Sequence, residues 1–247
     1  MKFRRLLLLA SLAIVLIASV FLLGGSDDVR GSVPAHVSSG TGCRRAIALT
    51  FDDGPDAAYT RRMLDALQGA GAKATFFVTG ENAAADPDIV RRLSDNGMAI
   101  GLHSYAHSEG MEKASEDVFR ADLERAAAAV EAALGERPRL YRAPFGKTSE
   151  TMLRVLGGEG YVSIGWDVDP GDWRERTAES IATDVLAKAH PGAIVLLHDG
   201  ALSGGYPDRT QTVEAVRLLI PELRRQGYEL VTVPEIIDPA ACLPDQP

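Results

Sequence analysis

Two neighbouring carboxylates, Asp52 and Asp53, lie within the segment Thr50-Phe51-Asp52-Asp53-Gly54-Pro55. Side by side they repel, so a cation, a metal or solvent must compensate them. Alone, D-D-G-P is also an ordinary turn sequence. Downstream, His103-Ser104-Tyr105-Ala106-His107 sets two imidazoles at i and i+4, where one helical turn would aim both at one point, a frequent metal-ligand spacing. A third histidine, His198, lies in Leu196-Leu197-His198-Asp199-Gly200, and the chain has five histidines in all, which weights this pattern toward a site. Two histidines and one aspartate supply three protein ligands and leave positions open for water and substrate, as in catalytic zinc sites. A structural site would want a fourth ligand, usually cysteine, but Cys43 and Cys242 lie at the two ends of the presumed domain. The carboxylate left off the metal would be free to act as a base.

These residues need a scaffold that brings them together. From residue 44 onward, short β-branched or aromatic runs alternate with longer amphipathic ones. The runs 46–51, 74–78, 98–102, 140–142, 161–166, 193–197 and 229–231 read as strands; 59–69, 87–96, 115–134, 149–158, 177–189, 211–226 and 234–237 read as helices. Ser115 and Gly135 suit the two ends of the third helix. Seven β-then-α units imply a parallel sheet flanked by helices, either doubly wound or closed into a barrel, and periodicity does not choose between them. Asp52, Asp53, His103, His107, Arg142, Asp172 and His198 all fall at or just after the carboxyl ends of strands, the edge where α/β folds build active sites.

The chain has 247 residues and a formal charge of −8. Its first 25 residues carry only Lys2, Arg4 and Arg5 as charges, so the remainder bears −11. So acidic a surface has no footprint for phosphate backbones, which argues against a nucleic-acid partner. Leu6–Leu23 is an apolar run interrupted only by Ser11 and Ser19, behind a basic cluster. Residues 1–25 are therefore read as a membrane anchor, with a cleaved signal peptide as the alternative; either places the rest of the chain outside the cytoplasm. The Gly- and Ser-rich segment 26–42 reads as a flexible linker, 43–242 as one domain and 243–247 as a tail. In an extracytoplasmic chain, Cys43 and Cys242 are expected to form a disulfide that clasps the domain ends. His36 and His190 are assigned to solvent.

The ordered set T-F-D-D-G-P (50–55), H-S-Y-A-H (103–107), R-A-P-F-G (142–146), D-P-G-D-W (169–173) and L-L-H-D-G (196–200) resembles the polysaccharide deacetylase family, the NodB-like carbohydrate esterases. The resemblance spans roughly residues 44–237. It implies a single-domain, distorted (β/α) barrel of seven parallel strands and hydrolysis of N-acetyl groups on amino-sugar polymers. It also implies one divalent metal, usually Zn2+, with Co2+, Mn2+ or Ni2+ as alternatives. Matched position by position, Asp53, His103 and His107 correspond to metal ligands and Asp52 to the general base, with Arg142 as its partner. His198 corresponds to the general acid and Asp172 to its partner. Phe145 would offer its backbone N–H to the developing oxyanion, and Trp173 and Leu196 would wall the acetate pocket. Two departures stand out. Ala143 and Phe145 replace the frequent proline and tyrosine of R-P-P-Y, and Ser108 replaces a common proline after the second histidine; neither removes a reactive group.

The resulting expectation is a membrane-tethered, extracytoplasmic monomer acting on a glycan, N-acetylglucosamine in peptidoglycan or chitin-like oligosaccharide. An O-acetyl esterase on a polymer such as xylan, or a non-catalytic glycan-binding protein of the same fold, remain the alternatives.

Overall fold

The computed structural model describes residues 36–200 and 208–242. Their strands and principal helices run in chain order as β1 (His36–Val37), β2 (Ala46–Asp52), α1 (Tyr59–Gly69), β3 (Thr75–Val78), α2 (Gly80–Ala85), α3 (Pro87–Asp95), β4 (Ala99–Leu102), α4 (Glu116–Leu134), β5 (Leu140–Tyr141), α5 (Glu150–Gly158), β6 (Val162–Ile164), α6 (Ala178–Lys188), β7 (Ile194–His198), α7 (Thr210–Arg225), β8 (Glu229–Leu230) and α8 (Val233–Ile237). The strands pair in the order β1-β6-β5-β4-β3-β2-β7, with β8 beside β2, and every pairing is parallel. The sheet curls into a half-barrel with helices around it. Beyond β6 the chain crosses to the far edge, where Val168 forms a bridge with Val195 of β7. The seven strands read from the sequence are all present.

Side-chain alternation along the strands explains both the curl and the placement of reactive groups. On β2, Ile47, Leu49 and Phe51 join the core under the helices, while Ala46 and Ala48 face a second cluster with Phe77, Leu140, Ile164 and Ile194. Thr50 and Asp52 continue that inner column. On β7 the inner column is Ile194, Leu196 and His198, in register with Ala48, Thr50 and Asp52 respectively. Small inner residues leave room for large ones. Gly101 of β4 has no space for a side chain, because a Cβ there would lie 2.5 Å from the Phe77 ring.

Local signals account for the helices. Ser115 accepts a hydrogen bond from the Val118 N–H at the start of α4, and Gly135 ends it in the left-handed conformation. Between β3 and β4 the sequence suggested one helix, whereas the structure has two: Asp86 caps α3, and Pro87 at its first turn lacks the N–H needed to continue α2.

The segment 26–42 departs from the linker expectation where it is described. His36–Val37 pair with Ser163–Ile164 as an edge strand, the Gly40 N–H donates to the Gly192 carbonyl at 2.7 Å, and the Thr41 N–H donates to Ile236 at 3.0 Å. Val37 is buried, and a single well-placed apolar residue with three backbone partners is enough to dock a strand too short to show periodicity. His36 is exposed, as expected, yet its Nδ1 lies 3.0 Å from Ser163 Oγ. Cys43 and Cys242 are joined as a disulfide with Cα atoms 5.2 Å apart. Residues 1–35, including the proposed anchor, residues 201–207 and the tail 243–247 lie outside the described residues. Among those described, no helix is long and apolar enough to cross a membrane.

Candidate active site

All the reactive residues singled out in the sequence except the exposed Trp173 and the strand residue Leu196 meet in one cluster at the carboxyl edge of β2, β4, β5 and β7. Asp52 ends β2 and is 2% exposed. Its Oδ1 accepts from Arg142 Nη1 at 2.7 Å. Arg142 follows β5 and is 0% exposed. It also donates to Thr50 Oγ1 at 2.7 Å and to the Ile164 and Gly165 carbonyls at 3.3 and 2.9 Å, and its guanidinium lies 4.1 Å above the Phe77 ring. Every face of this buried cation is thus satisfied, which fixes the carboxylate it holds.

Asp53 is the next residue, and it points elsewhere because its φ is +76°. Its Oδ1 lies 3.5 Å from His103 Nε2 and 3.6 Å from His107 Nε2. The two histidines were expected on a helical turn. They sit instead in an irregular loop in which Ser104 (φ +60°) and His107 (φ +52°) are left-handed, and the Ser104 hydroxyl accepts the His107 N–H at 2.9 Å. Ser104 and a β-strand exit replace the helix, because the Gly80 and Glu81 N–H groups of α2 pair with the carbonyls of Ser104 and Tyr105. Asp53, Ser104, His107 and Phe145 are the four non-glycine residues of positive φ among those described, and all four lie at this cluster. Each such conformation costs about 1–3 kcal/mol and persists only where the surroundings hold it.

The donor set fits a divalent cation. Ligand atoms of Asp53, His103 and His107 all lie within 4.8 Å of one another. Asp53 Oδ1 is buried with no hydrogen-bond partner, an orphan that a cation would satisfy. His103 Nδ1 lies 2.9 Å from the Arg142 carbonyl oxygen, which can only accept, so Nδ1 carries the proton and Nε2 turns its lone pair to Asp53. Burial opposes ionisation of Asp53, but the nearby His103, with His198 and His107 beyond it, outweighs burial and holds the carboxyl below its usual range. Burial, with the neighbouring His103 charge, pushes His107 down to about 4. An ionised carboxylate and a neutral imidazole are the forms that bind metal. Burial also works against a charged His103, yet Asp52 and Asp53 raise it above its usual value; the negative surroundings that favour a proton there favour a cation equally.

On the other side, His198 Nδ1 lies 2.8 Å from Asp172 Oδ1. Asp172 Oδ2 accepts from the His198 N–H and from Thr212 Oγ1, both at 2.9 Å. Burial would neutralise His198, but Asp172 and then Asp53 and Asp52 raise it to about 9, so the imidazole is charged at neutral pH. Phe145 is about half exposed and meets the His107 ring edge-on at 4.4 Å. Trp173 is 40% exposed beneath the Arg174 guanidinium, whereas Leu196 is nearly covered within β7.

Several contributors escaped the sequence reading. Asp122 of α4 accepts the Tyr105 N–H at 3.1 Å and Arg125 stacks 3.5 Å over the Tyr105 ring, tying the histidine loop to a distant helix. Buried Arg209 donates to the Gly200 and Asp172 carbonyls at 2.8 and 3.4 Å. Asp199, left without a role, is fully buried; burial, with Asp53 and Asp52 nearby, pushes its carboxyl up to about 7. Its adjacency to His198 was the one signal in the sequence.

Comparison with known proteins identifies the relatives of this chain. The polysaccharide deacetylase family profile matches residues 39–164. A peptidoglycan-N-acetylglucosamine deacetylase of Bacillus cereus is 35% identical over 202 residues, covering 82% of this chain and 72% of that protein. A chitooligosaccharide deacetylase of Bradyrhizobium sp. is 36% identical over 198 residues, covering 78% and 90%. The crystal structure of a peptidoglycan N-acetylglucosamine deacetylase superposes with a TM-score of 0.77 at 34% identity over 82% of this chain and 92% of that one. With its curled parallel sheet and its five motifs in order, the chain belongs to the polysaccharide deacetylase family.

Proposed function

We propose that this protein is an exported, metal-dependent hydrolase that removes N-acetyl groups from N-acetylglucosamine polymers of the cell wall, releasing acetate. The observation that carries the reading is the unpartnered Asp53 Oδ1 between two imidazoles, flanked by a carboxylate tied to a buried arginine on one side and a charged histidine on the other. Asp53, His103 and His107 would hold the cation, taken to be Zn2+. Bound there, a divalent ion supplies Lewis-acid activation of water and of the acetamide carbonyl. Asp52, oriented by Arg142, takes the proton of the attacking water as the carbon–oxygen bond forms. The Phe145 N–H supports the developing oxyanion. His198, charged through its pairing with Asp172, gives its proton to the amide nitrogen as the carbon–nitrogen bond breaks, leaving free amine and acetate. Phe145, half exposed beside the His107 ring, offers an aromatic surface suited to a sugar ring.

Residues 1–25 are proposed to anchor the chain in the membrane, with the catalytic domain outside the cytoplasm. Peptidoglycan fragments, chitooligosaccharides and acetylxylan, incubated in parallel with metal-loaded protein, test the substrate class by mass analysis of products. Mass losses of one acetyl group per N-acetylglucosamine are expected; acetate from acetylxylan alone would make the protein an O-acetyl esterase, and no acetate from any glycan would make it a binding protein. Fractionation of cells, with amino-terminal sequencing of the mature chain, tests the anchor; a mature chain beginning after residue 25 would overturn it.

A further inference from the structure

Among the described residues, four buried side-chain polar atoms have no hydrogen-bond partner: Asp53 Oδ1, Asp199 Oδ1 and the hydroxyls of Tyr141 and Tyr161. The cation site accounts for the first. Asp199 takes no part in the chemistry above, yet it is 0% exposed and sits against the turn that carries Asp52 and Asp53. The Asp199 and Gly200 N–H groups both donate to the Asp52 carbonyl, at 3.1 and 3.3 Å. Asp199 Oδ2 accepts from the Thr60 hydroxyl, which itself accepts the Asp56 N–H at 2.7 Å. The carboxyl occupies the space a side chain on Gly54 would need, since a Cβ there would lie 2.5 Å from Oδ2 and 2.6 Å from Oδ1. A Cβ on Gly200 would likewise collide with the Asp53 carbonyl. The two backbones and one carboxyl are therefore interlocked with no space left between them.

We propose that Asp199 is a positioning residue for the cation site: wedged between Gly54 and the Thr60 hydroxyl, its carboxyl holds the Asp52–Gly54 turn in the left-handed form from which Asp53 reaches His103 and His107. This rests on the reading that those three residues bind a cation. Its physical content is steric. Asp53 sits in a conformation that an unbraced turn would leave, and a loosened turn would move Oδ1 away from both imidazoles without removing any ligand.

Zinc affinity of the metal-stripped protein, measured by competition against a chromophoric chelator well below the melting temperature, tests this. Supporting partners of metal ligands are worth roughly 10- to 100-fold in affinity, so D199A is expected to lose that much. D199N, which keeps the shape and an acceptor for Thr60, is expected within about threefold of wild type, as is T60S; T60V should fall between wild type and D199A. G54A and D199A should be non-additive, because removing the carboxyl opens the space that a Cβ on residue 54 needs. D199A that melts lower but binds zinc like wild type would overturn the proposal by reducing Asp199 to fold support. D199N as damaging as D199A would overturn it by making charge, not shape, the cause. D53A separates the two levels: if wild type binds zinc no better than D53A, the cation reading itself fails, whereas tight wild-type binding lost in D53A and kept in D199A removes only the positioning role.

Discussion

Replacing Asp172 by asparagine isolates the electrostatic half of the His198 pair. The substitution is isosteric, but it places an amide where a carboxylate now accepts three hydrogen bonds, from His198 Nδ1 and N–H and from Thr212 Oγ1. An amide oxygen can serve only one side of that set, and its NH2 must face a donor on the other. The charge it removes lies 2.8 Å from Nδ1. An opposite charge at such a distance shifts a buried group by about 1–3 pH units. Starting from about 9, a drop of about two units leaves His198 titrating near neutrality. At pH 8 the charged fraction then falls from about nine-tenths to about one-tenth, a roughly tenfold loss in kcat, while at pH 6 the loss from protonation is about one-tenth. The assay is acetate release from a chitooligosaccharide by wild type and Asp172→Asn across pH 6–10, with the His198 titration followed by NMR. The alkaline limb should move down in the variant, and an activated ester whose leaving group needs no proton should be spared. Identical pH profiles, or an equal loss at pH 6 and pH 8, would refute the assignment of His198 as an acid charged by Asp172.

Other outcomes follow from the same geometry. A strong chelator is expected to abolish acetate release and added Zn2+ to restore it, while Asp53→Ala should be rescued by no metal concentration that saturates wild type; undiminished turnover after thorough metal removal would sink the metal-based chemistry. Arg142→Met strands the buried Asp52 carboxylate, and breaking one partner of such a pair should cost about 3–5 kcal/mol in urea unfolding; a smaller loss than about 1 kcal/mol would mean the pair carries little of the barrel interior. Replacing Cys43 and Cys242 by serine opens a loop of sequence separation 199, with an expected loss of up to about 5 kcal/mol in stability and unchanged kcat at 25 °C, since the disulfide lies at the ends of the domain.

Much of this protein was legible in its sequence because the signals are short-range. Strand and helix periods, the Ser115 and Gly135 ends of α4, and the position of each reactive residue at a strand's carboxyl end depend only on neighbours along the chain. The family resemblance added the partner expected for each group, and the motifs that carry it do converge. Helical spacing misread the histidine loop, because an i, i+4 pattern does not distinguish a helical turn from two left-handed residues held by Ser104 and α2. Strand β1 hid in a Gly- and Ser-rich segment for the complementary reason: a two-residue edge strand is stabilised by what it docks against, not by its own composition.

What sequence alone determined was the inventory, three carboxylates, three histidines and an arginine, and their order on a parallel sheet. The tertiary structure decided their states. Asp52 and Asp53 are neighbours of the same type, yet one faces Arg142 and the other the two imidazoles, because the inner column of β2 and a left-handed turn send them different ways. His198 is raised and His107 lowered, because one has a carboxylate 2.8 Å away, whereas the other's nearest carboxylate lies 3.6 Å away and a second imidazole sits beside it. Burial and distance set those differences, and neither is a property of the residue or its neighbours in the chain.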